Sequence, residues 1–226
     1  MVEQHSILQM GNLLMVQERE RLLSAIFRRN NIRSLAGLKT FEAGCSTGYH
    51  LRLMVQWGAE PECQAGIDLD SEAVSYARAH GPGMRIHHGS ADSIPESSAS
   101  FDLSLAFTLF SSVPGEQISA RIASELFRIT RPGGLILVHD MRRRNPRNPA
   151  VHPIDADDIR RWFPSCPVRA HTCTLAPPIA RHVGRWAPWL YGPLTVLPLL
   201  RTHALYVIRR PALPPGETDT GRFVTN

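Results

Sequence analysis

Apolar residues along the chain fall into two alternating patterns. Short apolar runs at Thr40–Glu42, Gln64–Asp68, Met84–His88, Phe101–Phe107 and Leu135–His139 read as strands. Between them, apolar positions recur at helical spacing. Residues 15–30 place Val16, Leu22, Leu23, Ile26 and Phe27 on one side with charges opposite. Residues 49–57, 72–79 and 116–130 follow, the last with Ile118, Ile122, Leu126 and Ile129 on one face. The punctuation agrees: Gly58 stops a helix, Asp70 or Ser71 caps the next, and Gly81-Pro82-Gly83 is a turn. Pro132-Gly133-Gly134 ends the 116–130 helix before the unbroken apolar run Leu135–Val138, as expected of a strand covered on both faces. Strands and helices alternating in this way predict right-handed βαβ units and an α/β fold with a doubly wound, mostly parallel sheet.

The pattern changes after residue 150. Residues 155–163 predict a short helix with Asp155, Asp157 and Asp158 at its positive end. Residues 168–175 and 203–209 predict two late strands, which brings the sheet to seven. Between them, Trp186–Leu200 is apolar, yet shorter than the roughly 20 residues a spanning helix needs. Pro188, Pro193 and Pro198 interrupt it, so a buried cap or an interfacial surface is expected instead of a membrane span. The expected organisation is one domain over 1–210, with an N-terminal helical cap (1–36), an apolar lid-like insertion between the last two strands (176–201) and a disordered tail (211–226).

Composition narrows the classes. A chain of 226 residues, 43% hydrophobic and 20% charged, suits one soluble domain with a full core. The net charge of +5 comes mainly from scattered arginines, which favours a solvated basic surface over a nucleic-acid partner. Cys45, Cys63, Cys166 and Cys173 form no CxxC pair or zinc-finger spacing, as expected of reduced thiols. The first residues carry no basic region followed by an apolar run, so a cytoplasmic location without a signal peptide is expected. No metal site is expected, since helix capping explains the one aspartate cluster.

Candidate chemistry begins at Glu42-Ala43-Gly44-Cys45-Ser46-Thr47-Gly48, after the first strand. The dinucleotide fingerprint G-x-G-x-x-G fits poorly, with Ser46 and Tyr49 where glycines belong. An acidic-x-G-x-G-x-G pattern fits better through Glu42, Gly44 and Gly48, with Ser46 in the middle position. A turn lacking Cβ atoms lets a ligand lie against main chain. Asp68 ends the second strand, where a carboxylate can accept both ribose hydroxyls of an adenosine. Asp92, in Ala91-Asp92-Ser93 after the third strand, is placed to accept an adenine amino group, with the Ser93 backbone beside the ring. Taken alone, Asp92 reads equally as a solvated loop residue.

These segments, with Phe101–Phe107 and Arg128–Gly134, resemble the class I, Rossmann-like S-adenosylmethionine-dependent methyltransferases, in particular their small-molecule branch. The resemblance runs from about Leu38 to Asp140 and implies S-adenosylmethionine as cofactor. It implies that Glu42, Gly44, Cys45 and Gly48 line the methionine side, that Asp68 and Leu69 hold the ribose, and that Ala91, Asp92 and Ser93 hold the adenine. Phe107 and Thr108 would border the methyl group. The N-terminal helix would cover the cofactor, with Arg19 or Arg21 reaching its carboxylate.

Many relatives carry a histidine after the fourth strand, where this chain has Ser111-Ser112. The remaining candidates for a catalytic base are His139 and Asp140, ending the fifth strand. Asp140 is expected to point into the cleft, and His139 to read as a core residue. Arg142, Arg144 and Trp186 are candidates for gripping the acceptor. The expected function is methyl transfer to a small-molecule hydroxyl, on a natural product or sugar-containing metabolite. N- or C-methylation and nicotinamide-dependent oxidoreduction are the alternatives, and a homodimer is compatible with the chain.

Overall fold

The computed structural model describes residues 6–144 and 151–213. The first residues, part of the arginine-rich segment after Asp140 and most of the expected tail lie outside the described residues. The strands are β1 (Thr40–Ala43), β2 (Gln64–Asp68), β3 (Arg85–His88), β4 (Phe101–Phe107), β5 (Thr130–Met141), β6 (Val168–Leu175) and β7 (Arg201–Arg209). They form one sheet in the order β3-β2-β1-β4-β5-β7-β6. The first five strands are parallel, and β7 runs antiparallel between β5 and β6, so the sheet is mixed. Strand order reverses between β1 and β4, where a parallel sheet opens a crevice at the carboxyl ends of its strands.

The helices are α1 (Met10–Arg29), α2 (Tyr49–Gln56), α3 (Ser71–His80), α4 (Glu116–Ile129), α5 (Ala156–Trp162), α6 (Pro177–Trp186) and α7 (Tyr191–Thr195). Strand periodicity divides the core into two layers. Leu103, Leu105 and Phe107 of β4 and Leu135 and Leu137 of β5 pack with Leu23, Ile26 and Phe27 of α1 and Leu53 and Met54 of α2. The alternate residues, Ala106, Ile136 and Val138, pack with Ile122 and Leu126 of α4 and Ile159 and Trp162 of α5. Both faces are dry, which explains the unbroken apolar run in β5.

Two boundaries differ from the sequence pattern. Strand β5 begins at Thr130: Phe101 pairs with Thr130 but Leu103 with Leu135, so 131–134 bulge out, with Gly133 at φ 77°. Pro132 is tolerated there because a bulged residue donates no ladder hydrogen bond. Helix α1 begins earlier than its amphipathic pattern, because its first turn packs on the insertion. A Cβ on Gly11 would lie 2.4 Å from the Ala180 carbonyl oxygen, and one on Gly184 would lie 2.2 Å from the Gly11 nitrogen. Arg181 Nε donates to Asn12 Oδ1 (3.2 Å), and Glu18 accepts from Thr174 N (3.1 Å) and Tyr191 Oη (2.6 Å). The N-terminal helix and the insertion therefore move together. Among the described residues no helix is long and apolar enough to cross a membrane.

Gly184→Ala is expected to wedge α1 from α6 and to destabilise the fold by roughly 1–3 kcal/mol, as overpacking does. Urea unfolding measures this, and an unchanged midpoint would contradict the backbone contact.

Candidate functional site

The site grows from the turn after β1. Gly44, Ser46 and Gly48 take φ of 68°, 45° and 77°, all left-handed. A Cβ on Gly44 would lie 2.9 Å from Leu109 Cδ1, the movable end of a side chain, so it is the left-handed backbone that calls for glycine there. Ser46 takes the same backbone region at a cost of about 1–2 kcal/mol for an L residue. The turn is pinned to β2: Gly44 N and Cys45 N donate to Ile67 O (2.9 and 3.0 Å), and Ser46 N donates to Asp68 Oδ2 (2.7 Å). Asp68 Oδ1 accepts from Asp70 N (2.9 Å), while Asp70 caps α3 by accepting from Glu72 N and Ala73 N. Each Asp68 oxygen keeps lone-pair capacity. Gly66 was not singled out from the sequence. A Cβ there would lie 2.9 Å from Cys45 Sγ, and a glycine inside a strand is the signal for such close approach.

Beside this turn lies a cavity of about 350 Å³, walled by Gly44, Asp68, Leu69, Ala91, Asp92 and Leu109. Leu69 is 71% exposed, an apolar wall with little packed on it. Asp92 accepts from Arg121 (3.0 Å to Nη2), and bonds from Ser90 and Arg121 hold its carboxyl below its ordinary value. Ser93 N donates to Ser90 O (3.2 Å), and Ser93 is not among the cavity's walls, although the adjacent Asp92 is.

Glu42 is buried at the end of β1. Its Oε1 meets His50 Nδ1 at 2.7 Å, but Glu42 Oε2 and His50 Nε2 have no hydrogen-bond partner. A buried carboxylate oxygen without a donor costs about 1–3 kcal/mol, so this atom suits a cationic or N–H-bearing ligand group. Cys45 is buried too, and burial together with the carboxylates of Glu42 and Asp68 pushes its thiol far up, so it stays protonated.

A second cavity, of about 490 Å³, opens between α1, α6 and the ends of β4 to β7, lined among others by Arg19, Thr108, His139, Thr174, Arg181 and His203. It adjoins the first at the Thr108–Leu109 link. Among the described residues that line it there is no carboxylate. Thr108 and Thr174 sit at φ 54° and 62°, left-handed values that cost a β-branched residue on the order of 1–3 kcal/mol. Two such residues facing one cavity mark it as built. Thr108 N donates to His139 O (2.7 Å), and Phe107 packs between the His50 and His139 rings, 4.5 and 5.5 Å away.

His139 faces this cavity with neither ring nitrogen hydrogen-bonded, and its ring stacks on His203 at 5.2 Å and 7°. Burial, with His203 and Arg19 adding to it, pushes His139 well below the usual imidazole value. Burial and Arg19 lower His203 to about 4. Both rings are neutral at pH 7. The Arg19 guanidinium lies 5.6 Å from the Tyr49 ring centroid and its buried Nε is unpartnered. Arg21 instead donates to Gln17 O and is exposed, so helical phase selects Arg19.

Other sequence candidates are not brought here. Asp140 is fully buried on the opposite face of β5, where Oδ2 accepts from Ser111 N (3.0 Å) and Oδ1 from Met141 N (2.8 Å). Burial raises its carboxyl. It lines neither cavity, because successive strand residues point to opposite faces and His139 takes the cleft side. Trp186 is 65% exposed and stands outside the second cavity. Arg142 donates to Pro198 O (3.3 Å) and Arg144 is exposed, and neither lines a cavity. Asn12, Thr174, Arg181 and His203 were not foreseen, since they come from segments far apart in sequence. Among the described residues no group of His, Cys, Asp or Glu is gathered to hold a metal ion.

Residues 41–134 match the family of methyltransferase domains. A probable S-adenosylmethionine-dependent methyltransferase of Mycolicibacterium smegmatis is 32% identical over 123 residues, 52% of this chain and 46% of that protein. The malonyl-acyl-carrier-protein O-methyltransferase of Pectobacterium atrosepticum is 34% identical over 45% of this chain and 38% of its own length. A ubiquinone biosynthesis O-methyltransferase of Ruegeria pomeroyi is 29% identical over 58% and 52%. A solved S-adenosylmethionine-dependent methyltransferase from Mesorhizobium loti superposes with a TM-score of 0.60 at 18% identity, over 80% of this chain and 95% of that one. Residues 41–134 thus resemble a methyltransferase domain, on the fold of the solved enzyme. The matched part spans about half or less of the curated relatives' length. The cofactor of this methyltransferase family is S-adenosylmethionine.

The buried imidazoles His139 and His203 set a pH dependence. Once unfolded, His203 takes up a proton below its ordinary 6.5, but when folded only near 4. Between those values the unfolded chain binds more protons, so stability falls as pH drops through that window, by up to about 3 kcal/mol. Carboxylates held low, such as Asp92 and Glu125, add their loss only below ordinary values of 3.8 and 4.5. Urea titrations across the window are expected to show the slope, and His203→Gln to flatten it; a slope unchanged by that substitution would contradict the assignment.

Proposed function

We propose that the chain transfers the methyl group of S-adenosylmethionine to an oxygen of a small-molecule acceptor held in the second cavity. The observation that carries the reading is the pair of adjoining cavities at the strand-order reversal, one walled by Asp68, Leu69 and Asp92 and the other by His139 and Arg19. The donor set fits the cofactor: Glu42 Oε2 lacks a partner, the Gly44 turn leaves main chain open, and Leu69 is exposed. When bound, S-adenosylmethionine supplies an electrophilic methyl carbon on a sulfonium.

In this reading Asp68 holds ribose hydroxyls through its remaining lone pairs, Leu69 and Ala91 bracket the base, and Asp92 accepts from its amino group. Glu42 and the turn from Gly44 through Cys45 to Gly48 face the methionine portion, and Arg19 its carboxylate. Thr108 borders the reacting centre. Orientation of the acceptor can contribute roughly 7–11 kcal/mol to such a displacement. His139 accepts a hydrogen bond from the acceptor hydroxyl, since its ring is neutral and unpartnered. With Arg19 on the cofactor's carboxylate, Arg181 and the lack of a carboxylate among the described residues of the lining favour an electron-rich acceptor oxygen over a protonated amine. Two of the relatives named above are O-methyltransferases, which supports an oxygen acceptor over nitrogen or carbon.

Two outcomes test this. Calorimetric titration is expected to show binding of S-adenosylmethionine and none of NAD, with Asp68→Ala weakening it by roughly 2–3 kcal/mol. Unchanged affinity would contradict the ribose assignment. His139→Phe is expected to preserve ring packing and cofactor affinity while lowering turnover of a phenolic acceptor by roughly 10²-fold. Full turnover in that variant would remove His139 from the chemistry.

A further inference from the structure

The insertion between β6 and β7 carries a surface that the catalytic reading does not use. Trp186, Trp189, Val196, Leu197 and Leu199 are 65, 72, 72, 51 and 76% exposed. Leu8 is 92% exposed, and Met10 shares a surface cleft with Arg185 and Trp186. The Arg142 bond to Pro198 O brings the end of β5 to the same face. Three segments thus form one protruding apolar patch, larger than scattered surface apolar residues require.

The segments that carry the patch hold charge of one sign, the nearby Glu18 being partly buried against Thr174 and Tyr191. Residues 6–17, 141–144 and 176–201 contain no aspartate or glutamate, yet carry Arg142, Arg143, Arg144, Arg181, Arg185 and Arg201. Arg185 lies 5.0 Å from the Trp186 ring centroid, so a cation and an amphipathic aromatic share one spot. Trp189 and Leu199 stand out on two short turns, Pro188–Leu190 and Pro198–Leu200, and among the patch's exposed residues only Met10 and Trp186 wall the cleft. That shape suits a fluid boundary more than a shaped partner. A two-fold dimer through this patch would press its arginines against their own copies.

We propose that this face docks the protein on the surface of an anionic lipid bilayer. Trp186, Trp189, Leu197 and Leu199 enter the boundary between headgroups and acyl chains, where tryptophan is favoured. Arg142, Arg143 and Arg185 lie against lipid phosphates. The docking is peripheral, and it does not depend on the catalytic reading.

The test is flotation of the full chain with vesicles of phosphatidylcholine alone and of phosphatidylcholine with phosphatidylglycerol. Binding is expected with the anionic vesicles, weakened by salt, with tryptophan emission quenched by brominated lipid. Combined Trp189→Ser, Leu197→Ser and Leu199→Ser is expected to reduce partitioning roughly tenfold or more. Arg185→Gln is expected to reduce it about fivefold, on anionic vesicles only. Urea unfolding of the variants should match the parent, since these side chains are exposed. Vesicle binding that the variants retain would overturn the proposal, as would a folded parent protein that binds neither vesicle. A dimer that the same substitutions dissolve, in protein indifferent to vesicles, would assign the patch to a second copy. Association with polyglutamate but not vesicles would assign the arginines to an acidic protein.

Discussion

The carboxylate of Asp68 is the tie on which the candidate site depends. By accepting from Ser46 N at 2.7 Å and from Asp70 N at 2.9 Å, it fastens the turn after β1 to the turn after β2. Those turns are the two sides of a crevice that a parallel sheet opens wherever its strand order reverses. Without that tie, the three left-handed residues of the β1–α2 turn would be bonded to β2 through the Ile67 carbonyl alone, their other bonds, such as Gly48 N to Cys45 O (2.8 Å), being internal to the turn and α2. The division of labour with Asp70, which caps α3, leaves Asp68 in the plane of the sheet edge. One aspartate closes the helix and the other keeps capacity for a ligand.

Much of this arrangement was legible in the sequence because it is local. The strands and their carboxyl-edge turns follow from apolar runs, glycines and caps within a few residues of each other. What was not legible depends on phase or on distant segments. His139 and Asp140 are neighbours on a strand buried on both faces, and a fully apolar strand carries no polarity signal to say which face is the cleft. The cleft faces α1, so His139 lines it and Asp140 instead holds the turn at Ser111. Arg19 and Arg21 pose the same problem on a helix. His203 was invisible as a site residue because it reaches the cleft through the antiparallel β7, where its partner in register is Met141. Trp186 was read as a lid residue from composition, but its helix turns it outward.

Electrostatics then separates the two cavities. The nucleoside-sized one carries two aspartates, one neutralised in part by Arg121. The other holds two arginines and two imidazoles kept neutral by burial. In the proposed reading a base lowered in this way is weak, so the second cavity would suit acceptors whose proton is already easily lost. The same fold supports other chemistry, since a solved cyclase superposes on this chain with a TM-score of 0.60 at 16% identity. Function on such a scaffold rests on the side chains in the crevice.

Helix α6 connects the two halves of the molecule's chemistry. Pro177 and Arg181 line the second cavity, while Arg185 and Trp186 begin the exposed apolar patch. A helix of 10 residues is about 15 Å long, so cavity and patch lie within one helix length. That helix cannot shift alone, because Gly11 and Gly184 hold it in backbone contact with α1, and α1 delivers Arg19 to the cavity. Any contact made at the patch therefore bears on an element that also walls the second cavity. If that cavity holds the acceptor as proposed, a molecule entering along α6 would pass from an apolar, positively charged exterior to a lining of the same sign, a path suited to an apolar body with an acidic oxygen.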